Sequence, residues 1–168
     1  LHNILFSSDY KSEFNAIFQD RDIFSDPTIY LFISSKMVKE DAPSGHENWF
    51  AMINVPPDDD QDWDYLVETS RKNIIGKINR MLNTSIENYI TSEKILQPIE
   101  IYSKTGSYKG ALYGLNSNSK FAAFNRHPNH RNRFKNLYFT GGSVHPGGGI
   151  PMCLSSAKIV AHEIKNKK

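Results

Sequence analysis

Cysteine is almost absent from this chain of 168 residues, where Cys153 stands alone. An internal disulfide is therefore impossible, and a reducing compartment fits. Long apolar runs are missing as well. No stretch reaches the roughly 18 apolar residues that a membrane-spanning helix needs, and no charged-then-apolar leader pattern opens the chain. Neither sign of charge dominates. The formal net charge of +2 argues against polyanion binding driven by bulk charge, and so against a nucleic-acid partner. Internal repeats and low-complexity tracts are lacking. So is a dinucleotide fingerprint: after Gly147 and Gly149, the place that a GxGxxG spacing needs for its third glycine holds Met152. The length suits one domain or two small ones, with enough chain for a real core. The first residue is Leu1 and Ile4-Leu5-Phe6 already reads as strand, so the expectation is a piece of a larger protein.

What is present is concentrated in Asn136–Ile164, NLYFTGGSVHPGGGIPMCLSSAKIVAHEI. Leu137, Tyr138 and Phe139 are strand formers, and Leu137–Thr140 ends at Gly141-Gly142. Pro146-Gly147-Gly148-Gly149 can neither continue a strand nor begin a helix. From Pro151, which suits a first helical position, the pattern becomes helical. It places Met152, Leu154, Ser155, Ile159, Val160 and Ile164 mainly on one face. A glycine crossing ahead of a helix start lets backbone approach a ligand closely, and the free N–H groups there favour an electron-rich group.

This stretch resembles the C-terminal signature of the FAD-dependent phytoene desaturases, the carotenoid branch of the flavin amine-oxidase-like oxidoreductases. Asn136, Tyr138, Phe139, Gly141, Gly142, Ser143, His145, Pro146, Gly147, Gly149, Ile150 and Pro151 carry the likeness. Val144 departs from the usual Thr, which removes a hydroxyl, and Gly148 departs from the usual Ala or Ser. Weaker likenesses lie upstream in Ala42-Pro43-Ser44-Gly45-His46-Glu47, in Gly110–Gly114 and in Arg126-His127-Pro128-Asn129. They cover the chain only as the last third of such an enzyme.

The rest reads as alternating strands and helices. Residues 2–6 form a strand. Asp9 caps a helix to about Gln19, with Tyr10, Phe14, Ile17 and Phe18 on one face. Thr28–Ser34 lacks clear alternation and reads as a strand covered on both faces. A polar loop from Ser35 to Asn48 leads to a strand over Trp49–Val55. Asp62 caps a helix from about Trp63 to Leu82, whose stripe is Trp63, Leu66, Val67, Ile74, Ile78 and Met81. Residues 85–96 read as a strand and Gln97–Glu100 as the start of a short helix or turn. Gly106, Gly110 and Gly114 mark a loop entering a further strand.

Several candidate sites are set aside. Asp58–Asp64 lacks the glycine and the late glutamate of a calcium loop, and better complements the helix dipole. Ser143 is followed two residues on by His145, where a nucleophile elbow needs glycine. His127 and His130 are flanked by arginines and have no partner cysteine, so no metal site is assigned. Cys153 reads as a structural thiol in the first turn of the closing helix. His145 has two readings, a polar contact to the flavin or its ribityl chain, or a side chain that merely holds the turn.

The expected fold is α+β: a mixed or antiparallel substrate-domain sheet with flanking helices, plus the last strand and closing helix of a Rossmann-like FAD-binding domain. The resemblance implies that residues 1–115 belong to the substrate domain and 116–168 return to the FAD domain. It implies FAD as cofactor of the full-length protein, with none bound to this piece alone. Gly141, Gly142, His145, Pro146, Gly148, Gly149, Ile150, Pro151 and Met152 would line the flavin; catalytic residues are not assigned. Expected partners are a carotenoid or other polyene, the rest of the FAD domain, peripheral contact with the cytoplasmic membrane in a cytoplasmic protein, and self-association of the piece. The rivals are another flavin amine-oxidase-like oxidoreductase and a non-catalytic α+β interaction domain.

Overall fold

The structure, a computed structural model, describes residues 1–114 and 125–166. The strand expected beyond Gly114 and the end of the basic tail lie outside the described residues. The chain divides into two compact units, Leu1–Ile95 and Leu96–Lys168. Across the described residues it is α+β, with four α-helices and a three-stranded sheet.

In the first unit, β1 (His2–Leu5), β2 (Ile29–Phe32) and β3 (Phe50–Ile53) pair antiparallel in that order. The sheet is antiparallel throughout, the simpler of the two arrangements expected. Register aligns His2 with Phe32 and Phe32 with Phe50; it aligns Ile4 with Tyr30 and Tyr30 with Met52. These six side chains therefore share one face, because residues alternate across a strand.

The other face carries the core. Leu5 and Ile29 pack with Ile78 from the long helix α2 (Trp63–Leu82), flanked by Trp49, Ile53, Ile74 and Ile86. Ile23, Trp63 and Leu66 form a second cluster with Ile53 and Val55. β2 is thus buried on one face only: Ile29, Leu31 and Ile33 are inside, while Tyr30 and Phe32 are half-exposed. This corrects the two-sided reading. Tyr30 and Phe32 are apolar in sequence but face outward, so composition hid the alternation.

Helix α1 (Tyr10–Asn15) starts where expected, with Asp9 accepting from the Ser12 N–H, and widens into a π turn over Ala16–Asp20. Its most buried member is Glu13, whose carboxylate accepts from the Thr28 N–H at 2.7 Å and the Thr28 hydroxyl at 2.6 Å. Helix α2 begins at the Asp62 cap and ends at left-handed Asn83. Its stripe is as read except that Met81 is exposed and Lys77, 3% exposed, is inside. The Lys77 ammonium is satisfied there by the carbonyls of Phe6 (2.7 Å) and Pro27 (2.9 Å) and by Asp26 (2.9 Å). That clasp ties the ends of β1 and of the loop before β2 to α2.

Residues 85–96 do not form the expected strand. The Asn79 side chain accepts from the Ile86 N–H and donates to Glu87. This folds the segment back on α2 as a 3-10 turn over Ile86–Tyr89, and Arg71 holds Glu93 beyond it.

The second unit opens with α3 (Pro98–Thr105), which has Pro98 at its start and left-handed Gly106 at its end. Among its described residues there is no strand. Leu137–Thr140, expected as the last strand, makes only an isolated bridge, Tyr138 with His130, and Val144 bridges His127. Strand formers alone do not make a ladder; they need a neighbour over several residues. Helix α4 (Ile150–Asn166) closes the chain.

A glycine crossing clamped from one side

The local sequence explains how the crossing between Thr140 and α4 is held. Asn129 is 5% exposed, and its amide nitrogen lies 3.0 Å from the Phe139 carbonyl, 3.0 Å from the His145 carbonyl and 2.9 Å from the Ser156 hydroxyl. Ser156, fully buried on α4, also accepts from the Gly141 N–H at 3.3 Å. The Phe139 N–H returns a bond to the Asn129 carbonyl at 2.7 Å, and the His145 N–H bonds the His127 carbonyl at 2.9 Å. One small amide thus fixes both ends of the turn against the helix.

Arg126 secures the middle. Its guanidinium donates to the carbonyls of Tyr113 (2.9 Å) and Gly142 (3.2 Å). It also covers Gly147, where an added Cβ would stand 3.3 Å from it. The Tyr113 ring lies against Gly148, at which a Cβ would come within 2.4 Å of Cδ1. A Cβ on Gly142 would touch the Gly148 backbone and the Cys153 sulfur, so Cys153 is a packing thiol at the helix start.

Gly149 differs. Its φ of +93° suits glycine, and a Cβ there would meet nothing within 4 Å. Ile150, 79% exposed, Pro151 and Met152 follow it on the surface as the first turn of α4. The crossing is therefore packed on one side and bare around Gly149–Met152.

The structure brings Gly141, Gly142, Pro146, Gly148, Gly149, Ile150, Pro151 and Met152 into one turn-and-helix start. The His145 ring is exposed, while its backbone holds the turn. His127 packs edge-on to Phe139, and His130 Nδ1 lies 2.8 Å from Glu163, so neither histidine is organised for a metal; no group of metal-ligating side chains occurs among the described residues.

Sequence reasoning missed Arg126, Asn129, Ser156 and Tyr113 as the clamp. The apolar face read for α4 is only partly turned inward. The helix buries Ser156, with Cys153, Ile159, Val160 and Glu163 partly covered, and leaves Met152, Leu154, Ser155 and Ile164 exposed. Ser156 fixes that rotation through Asn129. The available signal was a serine in step with Cys153, Ile159, Val160 and Glu163 at helical spacing.

The second feature is the outer sheet face of the first unit. His2 stacks on Phe32 at 4.8 Å, Tyr30 meets Phe50 edge-on at 6.3 Å, and His2 Nδ1 lies 2.8 Å from the Tyr30 hydroxyl. Ile4 and Met52 complete an apolar, aromatic layer that remains accessible.

The chain is 57% identical over 166 residues to a 1-hydroxycarotenoid 3,4-desaturase of Flavobacterium sp. (strain P99-3), a match that takes in 99% of the chain and 34% of that protein. The chain is a portion of a carotenoid desaturase-like protein. It is also 37% identical to a 4,4'-diaponeurosporene oxygenase of Staphylococcus haemolyticus (strain JCSC1435), over 97% of the chain and 33% of the relative. A protein with the same description from Staphylococcus aureus (strain MSSA476) is 35% identical, over 99% of the chain and 35% of its own length. No protein-family model matches. This carotenoid desaturase-like chain spans about a third of the length of the curated relatives it matches.

Proposed function

We propose that this chain is the C-terminal part of an FAD-dependent oxidoreductase that introduces double bonds into a carotenoid or related polyene. The observation that carries the reading is the 57% identity, sustained over 99% of the chain, to a carotenoid desaturase. On this reading residues 1–115 serve the substrate domain and 116–168 return to the flavin domain.

The geometry fits a flavin. Gly149 offers bare backbone on the open side of a clamped crossing, and the first turn of α4 begins beside it. Gly141, Gly142, His145, Pro146, Gly148, Gly149, Ile150, Pro151 and Met152 would hold the ring system and its ribityl end. When bound, the flavin supplies the hydride acceptor that desaturation requires. The chain's own residues would position it. Asn129 and Ser156 keep the turn from opening, and Arg126 keeps Gly147 and Gly142 in place. The start of α4 would turn its positive dipole end toward the bound group and favour the negative charge that reduction brings. The exposed apolar face at Ile150 and Leu154 packs against the rest of the flavin domain. The aromatic outer face of the sheet, His2, Ile4, Tyr30, Phe32, Phe50 and Met52, forms one wall of an apolar substrate channel.

A second reading is oxygenation of a polyene, favoured by the two relatives described as diaponeurosporene oxygenases. The test is product analysis with the full-length protein on a 1-hydroxylated acyclic carotenoid. Desaturation gives a product two hydrogens lighter with a longer chromophore. A gain of oxygen supports the second reading, and no conversion of any polyene contradicts both.

A further inference from the structure

Gly110 and Gly114 bring a short segment into close contact with its surroundings. A Cβ on Gly110 would stand 2.4 Å from the Pro98 carbonyl oxygen, so this backbone lies directly on the start of α3. A Cβ on Gly114 would stand 3.4 Å from the Ser143 carbonyl oxygen. Between them, the Tyr113 carbonyl accepts from Arg126 at 2.9 Å. The segment is thus held by α3, by the glycine crossing and by the guanidinium, all within the second unit. At the position so fixed, Tyr113 is 60% exposed.

Packing within this chain does not account for a tyrosine displayed in that way. An exposed ring buries little apolar surface, so ordering it returns little free energy. Its one close neighbour at the crossing is Gly148, where a Cβ would come within 2.4 Å of Cδ1; the ring takes the space of a side chain at 148. The next residue, Gly149, offers bare backbone with nothing within 4 Å of a Cβ. Ring and bare backbone are therefore neighbours on one rim of the crossing. A fixed aromatic ring beside open backbone suits a flat aromatic ligand, which packs with centres about 4.5–7 Å apart.

Resting on the reading of the crossing as the flavin's seat, we infer that Tyr113 is a contact residue of the bound flavin. Its ring forms the edge of the site next to Gly149. Tyr113 falls on the substrate side of the division drawn at residue 115, yet it packs in the same compact unit as the crossing. The flavin site is therefore not confined to residues 116–168.

The test is flavin emission and flavin affinity in the full-length holoprotein, without carotenoid. A tyrosine in contact with a flavin quenches its fluorescence. The excited ring takes an electron from the phenol and returns it on decay, with no net reaction. Phenylalanine packs alike but does not donate that electron. Y113F should therefore lose the fastest component of the emission decay while flavin affinity stays within about twofold of wild type. G148A drives a methyl group into the Tyr113 ring and the ring against the flavin, so it should weaken flavin binding about tenfold. In a Y113A background the same change should cost less than about twofold. All variants are compared at unchanged circular dichroism. An unchanged decay in Y113F overturns the inference and leaves the crossing as the flavin's seat. An equal cost of G148A in both backgrounds does the same. A full-length protein that holds no flavin overturns both the inference and the reading beneath it.

Discussion

Replacing Asn129 by alanine should open the glycine crossing without unfolding the protein. The substitution removes the amide that the Phe139 and His145 carbonyls accept from, at 3.0 Å each, and Ser156 loses the same neighbour. A stranded buried acceptor costs about 1–3 kcal/mol. These carbonyls are part-buried, so the low half of that range applies to each. The sum is roughly 2–4 kcal/mol, charged mainly to the local opening of residues 137–147. Amide hydrogen exchange reads this directly, because local openings have their own free energies. At a factor of ten per 1.4 kcal/mol, exchange in peptides covering Phe139 to Gly147 should quicken by about 30- to 1000-fold. Exchange around β2 and α2 should not change. N129D keeps the size but sets a carboxylate against both carbonyls, so it should be at least as damaging at neutral pH. It should recover partly in acid, where a protonated carboxyl can donate again. Exchange within threefold of wild type in N129A would refute the clamp.

Other outcomes follow from the buried polar groups of the first unit. Lys77→Met strands the Phe6 and Pro27 carbonyls and leaves Asp26 to the exposed Arg80 guanidinium at 3.3 Å, so thermal denaturation should show a loss of about 3–5 kcal/mol. Burial pushes the Asp26 carboxyl up, but the Ser8 N–H and the Lys77 ammonium outweigh it and hold the carboxyl at about 2. Its contribution is complete above the ordinary carboxylate range and disappears as pH falls from about 4 to 2. Allowing for partial solvent access, it amounts to roughly 1–2 kcal/mol. Acid denaturation should therefore be less steep in D26N across that window, and identical slopes would contradict the assignment.

Capped helices were the most legible part of the sequence. Asp62 with a strong periodic stripe marked Trp63–Leu82 at both ends, and Asp9 marked the start of α1. A side-chain cap and a repeat of 3.6 are local signals, and tertiary contacts had no reason to override them. The three strands of the first unit were also legible, but not their exposed face, because Tyr30 and Phe32 are apolar and yet point outward. Residues 85–96 were misread because Asn79, seven residues before Ile86 and eight before Glu87, captures both. Lys77 was hidden for a related reason: its three oxygen partners come from Phe6, Asp26 and Pro27. At the candidate site, the glycines announced an unusual backbone but not what holds it. Arg126 and Asn129 lie ahead of the crossing and Ser156 beyond it, and only the fold shows that the Asn129 amide joins the two sides.

Bound flavin per protein, compared between Gly149→Val and Lys158→Ala in the full-length protein, tests the central claim most directly. Gly149 sits at φ +93° on the open side of the crossing, so valine both strains the backbone and fills the space assigned to the ring. Lys158 is an exposed residue of α4 outside the turn. The expected result is a loss of at least tenfold in flavin affinity for Gly149→Val, about 1.4 kcal/mol or more. The fold should persist in that variant, and Lys158→Ala should bind flavin like wild type. Full flavin content and full activity in a folded Gly149→Val protein would show that the crossing does not meet the cofactor.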